Sequence, residues 1–273
     1  MVFGGENSES YFDEGLTASM RGELPRAIQC FERAIELDRS NAAAYQNLGK
    51  CCQRLGNHEK ATRLLASVVN SRPDNLPARI DYGHALIQAG QGAEARKQFG
   101  AVFERDPANA RAFLGLAAVA FFDGEWADAL THARTSLANS GPNFAALFLC
   151  GRAARLAGDH PSGDAYLKQA EKLMEKTIEL NPSKPEGYYL RAEVCFAQER
   201  HASALEYYRA AADRAHADRY YSAFGENFTR MDVLVKQGLC LQRMGQVDRA
   251  RELGKEALSL DPENKLGKAL SES

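Results

Sequence analysis

Between Asn41 and Asn75 the apolar side chains fall into two stripes, each with the three- and four-residue steps of one helix face. Numbering from Ala42 as position 1, Tyr45, Leu48 and Cys52 occupy positions 4, 7 and 11, and Ala61, Leu65 and Val68 occupy 20, 24 and 27. Gly56 at position 15 separates the stripes, and Pro73 at 32 closes the second. A proline cannot continue a helix and disfavours helix in the residue before it. The pattern predicts an antiparallel helix pair that crosses where Gly49 and Ala61 keep side chains small. A mid-helix glycine costs roughly 1 kcal/mol against alanine. A close approach, at the short end of about 8 to 10 Å between axes, has to offset that.

The same spacing returns along nearly the whole chain. Residues 8–41 carry Tyr11, Gly15, Ala18, Gly22, Ala27, Phe31 and Ala34, and residues 76–109 carry Tyr82, Gly83, Leu86, Gly90, Ala95, Phe99, Val102 and Pro107. Residues 110–143 hold Phe113, Leu116, Ala117, Ala120, Gly124 and Ala129, then loosen toward Gly141 and Pro142. Residues 144–184 begin normally with Leu147, Cys150, Gly151, Ala154 and Gly158, but the closing Pro182 arrives about seven residues late. Seven residues is almost two turns, which keeps the apolar face in phase, so a long second helix over about 161–179 is expected. A loop at 159–164, broken by Gly163, is the competing reading. Residues 185–218 follow with Tyr188, Ala192, Cys195, Ala204 and Tyr208, with Glu199 where glycine is usual. After an insert at 219–230 the pattern resumes at 231–264 with Leu234, Gly238, Leu241, Gly245, Ala250, Ala257 and Pro262. Residues 1–7 are expected to be a flexible N-terminus and 265–273 a short C-terminal cap.

This signature, at a period of roughly 34 residues, resembles the tetratricopeptide repeat. The resemblance implies an all-α fold, a single α-α superhelix of about seven antiparallel helix pairs over 8–264. A repeat array grows in one dimension without one central core.

Composition removes several function classes. With 34 Lys and Arg against 36 Asp and Glu the net charge is −2, so the basic footprint of nucleic-acid binding is lacking. No apolar run reaches the 18 or so residues of a membrane span, and MVFGGENSES does not read as a secretory signal. No membrane insertion is expected, and the cytoplasm is the expected location. Cys30, Cys51, Cys52, Cys150, Cys195 and Cys240 include no C-x-x-C pair and read as buried small hydrophobes. Neither a cofactor nor a metal site is expected. Nucleophile–base pairs, phosphate loops and metal spacings are absent from the sequence, so an enzyme is only a remote alternative.

In the family the first helix of each pair lines a concave groove, with positions 2, 5, 9, 12 and 13 facing in. Carried onto this chain, the groove candidates are Lys50, Arg54, Ile80, His84, Arg111, Leu114, Phe121, Phe122, Phe148, Arg152, Arg155, Tyr189 and Phe196, with Glu186, Glu193 and Asp232 at an acidic C-terminal end. The family's carboxylate clamp for chaperone C-termini, counted from the first repeat, falls on Phe12, Leu16, Asn47, Pro77 and Asp81, of which only Asn47 matches. A chaperone-tail role is therefore not expected. Tyr220, Tyr221, Phe224 and Phe228 of the insert are unexplained by the repeat's packing and form a possible second surface. They either fold back over the groove, make a separate contact surface, or close the gap. The leading expectation is a protein-interaction adaptor whose groove holds an apolar, partly acidic peptide or helix of another protein. The alternative is a scaffold that self-associates through groove and insert.

Overall fold

The computed structural model describes residues 7–272. Residues 1–6, most of the expected flexible N-terminus, lie outside the described residues. Among the described residues the fold is all-α apart from one hairpin, and the helices form antiparallel pairs. α1 (Ser8–Met20) pairs with α2 (Leu24–Leu37), α3 (Ala42–Arg54) with α4 (His58–Ser71), and α5 (Leu76–Gln88) with α6 (Gly92–Arg105). α7 (Ala110–Phe122) pairs with α8 (Trp126–Ser140), α9 (Phe144–Leu156) with α10 (His160–Leu180), and α11 (Pro185–Ala197) with α12 (His201–Ala212). The strands β1 (Tyr221–Ala223) and β2 (Glu226–Phe228) precede α13 (Arg230–Arg243) and α14 (Val247–Leu260), and α15 (Lys265–Glu272) closes the chain.

Asparagine starts many of these helices. Asn41, Asn75, Asn109 and Asn143 precede α3, α5, α7 and α9, and each side chain accepts a hydrogen bond from the backbone N–H three residues on. Each thereby satisfies one of the amides that a helix N-terminus leaves unpaired. Asn7 does the same for α1 in a reciprocal box with Ser10. The turns inside the pairs place Gly22, Gly56, Gly90, Gly124, Gly158 and Gly245 at φ between 73° and 88°, and at the equivalent point Glu199 takes φ 62°. A non-glycine residue in this left-handed region costs roughly 1 to 2 kcal/mol.

The helix crossings show why positions 8 and 20 stay small. A methyl group added at Gly49 would meet Leu65 at 2.8 Å, and one at Gly151 would meet Leu167 at 2.5 Å. Phe99 of α6 is fully buried and lies between two such sites, Gly83 of its own pair and Gly115 of the next. Gly115 sits at position 6, outside the repeat's usual small positions, and makes this second close approach.

The chain divides into two compact units, one ending at Gly141 and the other beginning at Pro142. Gly141, at φ 75° and ψ 178°, ends α8, and Pro142 follows it. In the N-terminal unit the first helices pack on one another in series, α1 on α3, α3 on α5 and α5 on α7. In the C-terminal unit α10 has 21 residues and passes through Gly163 without a break, burying Gly163, Leu167, Ala170 and Met174. Its Gly163 faces Gly151 across the α9–α10 crossing. α15 packs on α13 and α14, and its Leu270 is buried against Gly238 and Gly254.

Candidate functional site

The face carried by first helices α3, α5 and α7 is where the N-terminal candidates meet. Asp81 of α5 is buried, and its carboxylate accepts from Gln46 Nε2 at 2.7 Å and from Arg111 at 3.2 Å, with Lys50 Nζ at 4.0 Å. Lys50 and Arg111 themselves keep 51% and 59% of their side chains in water. Two half-exposed cations thus share one internal carboxylate. Beside them His84 meets Phe99 edge-on at 5.3 Å, and burial holds its imidazole down at about 4, Asp81 pulling weakly the other way. Along α7, Leu114 is half-buried and Phe121 leans edge-on against Trp126 at 5.1 Å, while Phe122 is 74% exposed. Arg54 donates to the Ser19 carbonyl at 3.3 Å, and burial lowers its pKa.

In the C-terminal unit the equivalent face is covered. Partners in the hairpin register are Tyr221 with Phe228, Ser222 with Asn227 and Ala223 with Glu226. Residues directly opposite share one side of a strand pair and successive residues alternate. Tyr221, Ala223, Glu226 and Phe228 therefore point one way, and that side faces the helices: β1 packs on α11 and β2 on α13. Phe228, 2% exposed, stacks on Tyr189 of α11 at 4.0 Å between ring centroids and 11° between planes. Tyr221 stacks on Phe228 at 5.2 Å, and Phe224 reaches Phe144 of α9 at 5.8 Å. Phe144 in turn stacks on Phe148 at 5.3 Å, and the Arg152 guanidinium lies 5.4 Å over the Phe148 ring.

A polar cluster lies beneath. Glu193 of α11 accepts from the Tyr208 hydroxyl and pairs with Lys236 of α13 at 2.7 Å. Burial raises the pKa of Glu226, reinforced by Glu193 and opposed by Arg152 and Lys236. Burial also pushes the thiols of Cys195 and Cys240 up to about 11 and about 12. All six cysteines are free and buried.

The structure moves several groove candidates out of an open groove. Ile80 is 2% exposed and belongs to the core cluster with Leu86, Phe99 and Val102, because α5 turns that position toward α6. Phe148 and Tyr189 are 4% exposed, closed off by neighbouring rings. Arg155 is committed to Asp164 at 2.7 Å and Glu199 at 3.0 Å, with 15% of its side chain exposed. Phe196 is half-buried against His201, with Lys236 5.9 Å from its ring centroid. Of the insert residues, Phe228 is core and Tyr221 and Tyr220 are half-buried, leaving Phe224 at the exposed tip. Among the described residues no group of three or more His, Cys, Asp or Glu is placed to hold a metal, and no helix is long and apolar enough to cross a membrane.

Models of the tetratricopeptide repeat match residues 19–79 and 56–119, residues 167–219 and residues 231–264, together more than half of the chain. The chain belongs to the tetratricopeptide repeat family. Repeats of this family in general mediate protein–protein contacts. Among curated proteins, DnaJ homolog subfamily C member 3 of Gallus gallus is 31% identical over 101 residues, 37% of this chain and 20% of that protein. Protein STIP1 homolog of Dictyostelium discoideum is 28% identical over 104 residues, 38% of this chain and 18% of that protein. The chain thus spans about a fifth of the curated relatives it matches. Among solved structures, a tetratricopeptide repeat protein from Parabacteroides merdae superposes with a TM-score of 0.60 at 16% identity, over 98% of both chains. The tetratricopeptide repeat solenoid is therefore the fold.

Proposed function

We propose that the protein is a non-enzymatic adaptor that holds an apolar, partly acidic peptide or helix of another protein against α3, α5 and α7 of its N-terminal unit. The observation that carries this reading is Phe122, a large aromatic kept 74% in water at the end of α7. Half-buried Leu114 and Phe121 share its helix, and the half-exposed cations Lys50 and Arg111 lie on the same face. Aromatic and arginine side chains are the usual anchors of such contacts, and unbalanced positive charge favours acidic side chains in the partner. From Arg111 to Phe122 the strip is about 16 Å long at 1.5 Å per residue, enough for a short helix or an extended segment. Six reduced, buried thiols fit a cytoplasmic setting. The self-assembly alternative needs the aromatic insert available to a second copy, and the stacking of Tyr221 and Phe228 within their own unit favours the adaptor reading over it.

The test is affinity capture from native lysate with mass spectrometry, comparing wild type with a Phe122→Glu, Lys50→Glu variant whose helicity is checked by circular dichroism. A partner retained by wild type and lost by the variant supports the reading. Equal capture by a folded variant overturns it.

A further inference from the structure

We propose that the hairpin is a built-in occupant of a second binding site on the C-terminal unit, and that this site takes from a partner an extended segment of the same chemistry, an acidic side chain two residues before an aromatic one. The proposal rests on the adaptor reading only in taking first-helix faces as binding faces.

What fills the site describes its ligand. Phe228 lies flat on Tyr189, in the geometry of a ring in an aromatic slot, and the wall of the slot continues through Tyr208, 5.8 Å from Tyr189. Glu226, two residues earlier and on the same side of the strand, sits among Arg152, Lys236 and Glu193. Arg152 and Lys236 favour a carboxylate at that place, while Glu193 and burial oppose it. Within the strands Ser222 and Asn227 share the opposite side, so side-chain identity is read mainly on one face, as in recognition of an extended peptide.

The hairpin depends on the helices for its order. A two-stranded hairpin is at best marginally stable by itself in water, so its order comes from the stacking just described. Its two-residue turn places Phe224 at φ 52° and Gly225 at φ 91°. That is the sense of a type I′ turn, which is normally built from Asn-Gly or Asp-Gly. A phenylalanine there carries left-handed backbone strain, and its ring is 51% exposed against Phe144. A tethered occupant competes as though present at about millimolar concentration, which keeps the site closed to weak ligands and open to good ones.

The probe is a fluorescently labelled peptide of residues 219–230, RYYSAFGENFTR, titrated by anisotropy into the full chain. Two variants vacate the site without altering its walls. In one, residues 220–228 are replaced by a Gly-Ser linker. In the other, Gly225→Pro forbids the turn, because proline cannot adopt φ 91°. Both variants are expected to bind the peptide at least tenfold more tightly than wild type, and a scrambled peptide is expected not to bind. If the linker variant loses helicity, the single substitution decides alone. A folded variant that binds no better than wild type, or binds the scrambled peptide equally, overturns the proposal. Tight peptide binding with partner capture unchanged by Phe122→Glu, Lys50→Glu would remove the adaptor reading and leave the exchange standing. The opposite pair of results would do the reverse.

Discussion

On α7 of the N-terminal unit Phe122 lies mostly in water, whereas on α11 of the C-terminal unit Tyr189 lies flat beneath Phe228. Both residues sit at positions that the family turns toward its ligands. In the N-terminal unit successive first helices pack on one another and their outer side chains stay exposed. In the C-terminal unit the insert between α12 and α13 supplies the next layer, and Tyr189 beneath it becomes core. Register contributes as well: position 5 is also buried at Ile80 and Phe148, and position 13 is exposed at both Phe122 and Leu156.

The largest expected effect tests the covered side. Phe228→Ala should lower stability by about 3 to 5 kcal/mol, the usual range for a fully buried phenylalanine, read from the urea midpoint. Phe122→Ala should stay within about 0.5 kcal/mol, as exposed substitutions do; a comparable loss at both would erase the contrast. Next comes Gly115→Ala. Its Cβ would stand 2.3 Å from Phe99, and Gly83 blocks the ring's retreat. Overpacking of about 1 to 3 kcal/mol should outweigh the gain of roughly 1 kcal/mol in helix propensity, so the thermal midpoint should fall.

The two units should also answer acid oppositely. The folded pKa of His84 is depressed to about 4. Its contribution is present above the unfolded value near 6.5 and is lost as pH falls toward 4, because the unfolded chain takes up a proton that the folded chain refuses. Glu226 is raised. Its contribution is fully present below the ordinary carboxylate value and is lost as pH rises through its folded pKa. Urea midpoints from pH 7 to 4 should therefore fall less steeply in His84→Phe and more steeply in Glu226→Gln than in wild type. The smallest effect is Glu199→Gly. It should relieve roughly 1 kcal/mol of left-handed strain, less whatever the half-exposed contact with Arg155 contributes, and raise the thermal midpoint slightly.

Most of the fold was legible because each repeat states it again. Position 15 glycines, small residues at 8 and 20 and the closing prolines mark the turns and crossings. The 21-residue α10 was readable from the late Pro182, since seven extra residues preserve a helical stripe. The hairpin was not legible. Phe-Gly is an unusual pair for a tight turn, and three-residue strands leave too little alternation to count. Register singled out Lys50 and Arg111 as candidates, whereas the carboxylate they share, Asp81, was met only as a mismatch to a clamp motif. Ile80, Phe148 and Tyr189 were expected in an open groove; all three stand at position 5, and the packing of neighbouring elements buries each of them. Gly115 carried a signal, a glycine inside the very apolar α7, which acquires meaning only once Phe99 is seen beneath it.

The buried cysteines give the array a way of reporting on itself. Cys30, Cys51, Cys52, Cys150, Cys195 and Cys240 belong to the first, second, fifth, sixth and seventh helix pairs, and every one is shielded. A thiol reagent reaches each only when its own pair opens. The order in which native cysteines become labelled, read by mass spectrometry in increasing urea, would chart how the solenoid comes apart along its length, with no probe introduced.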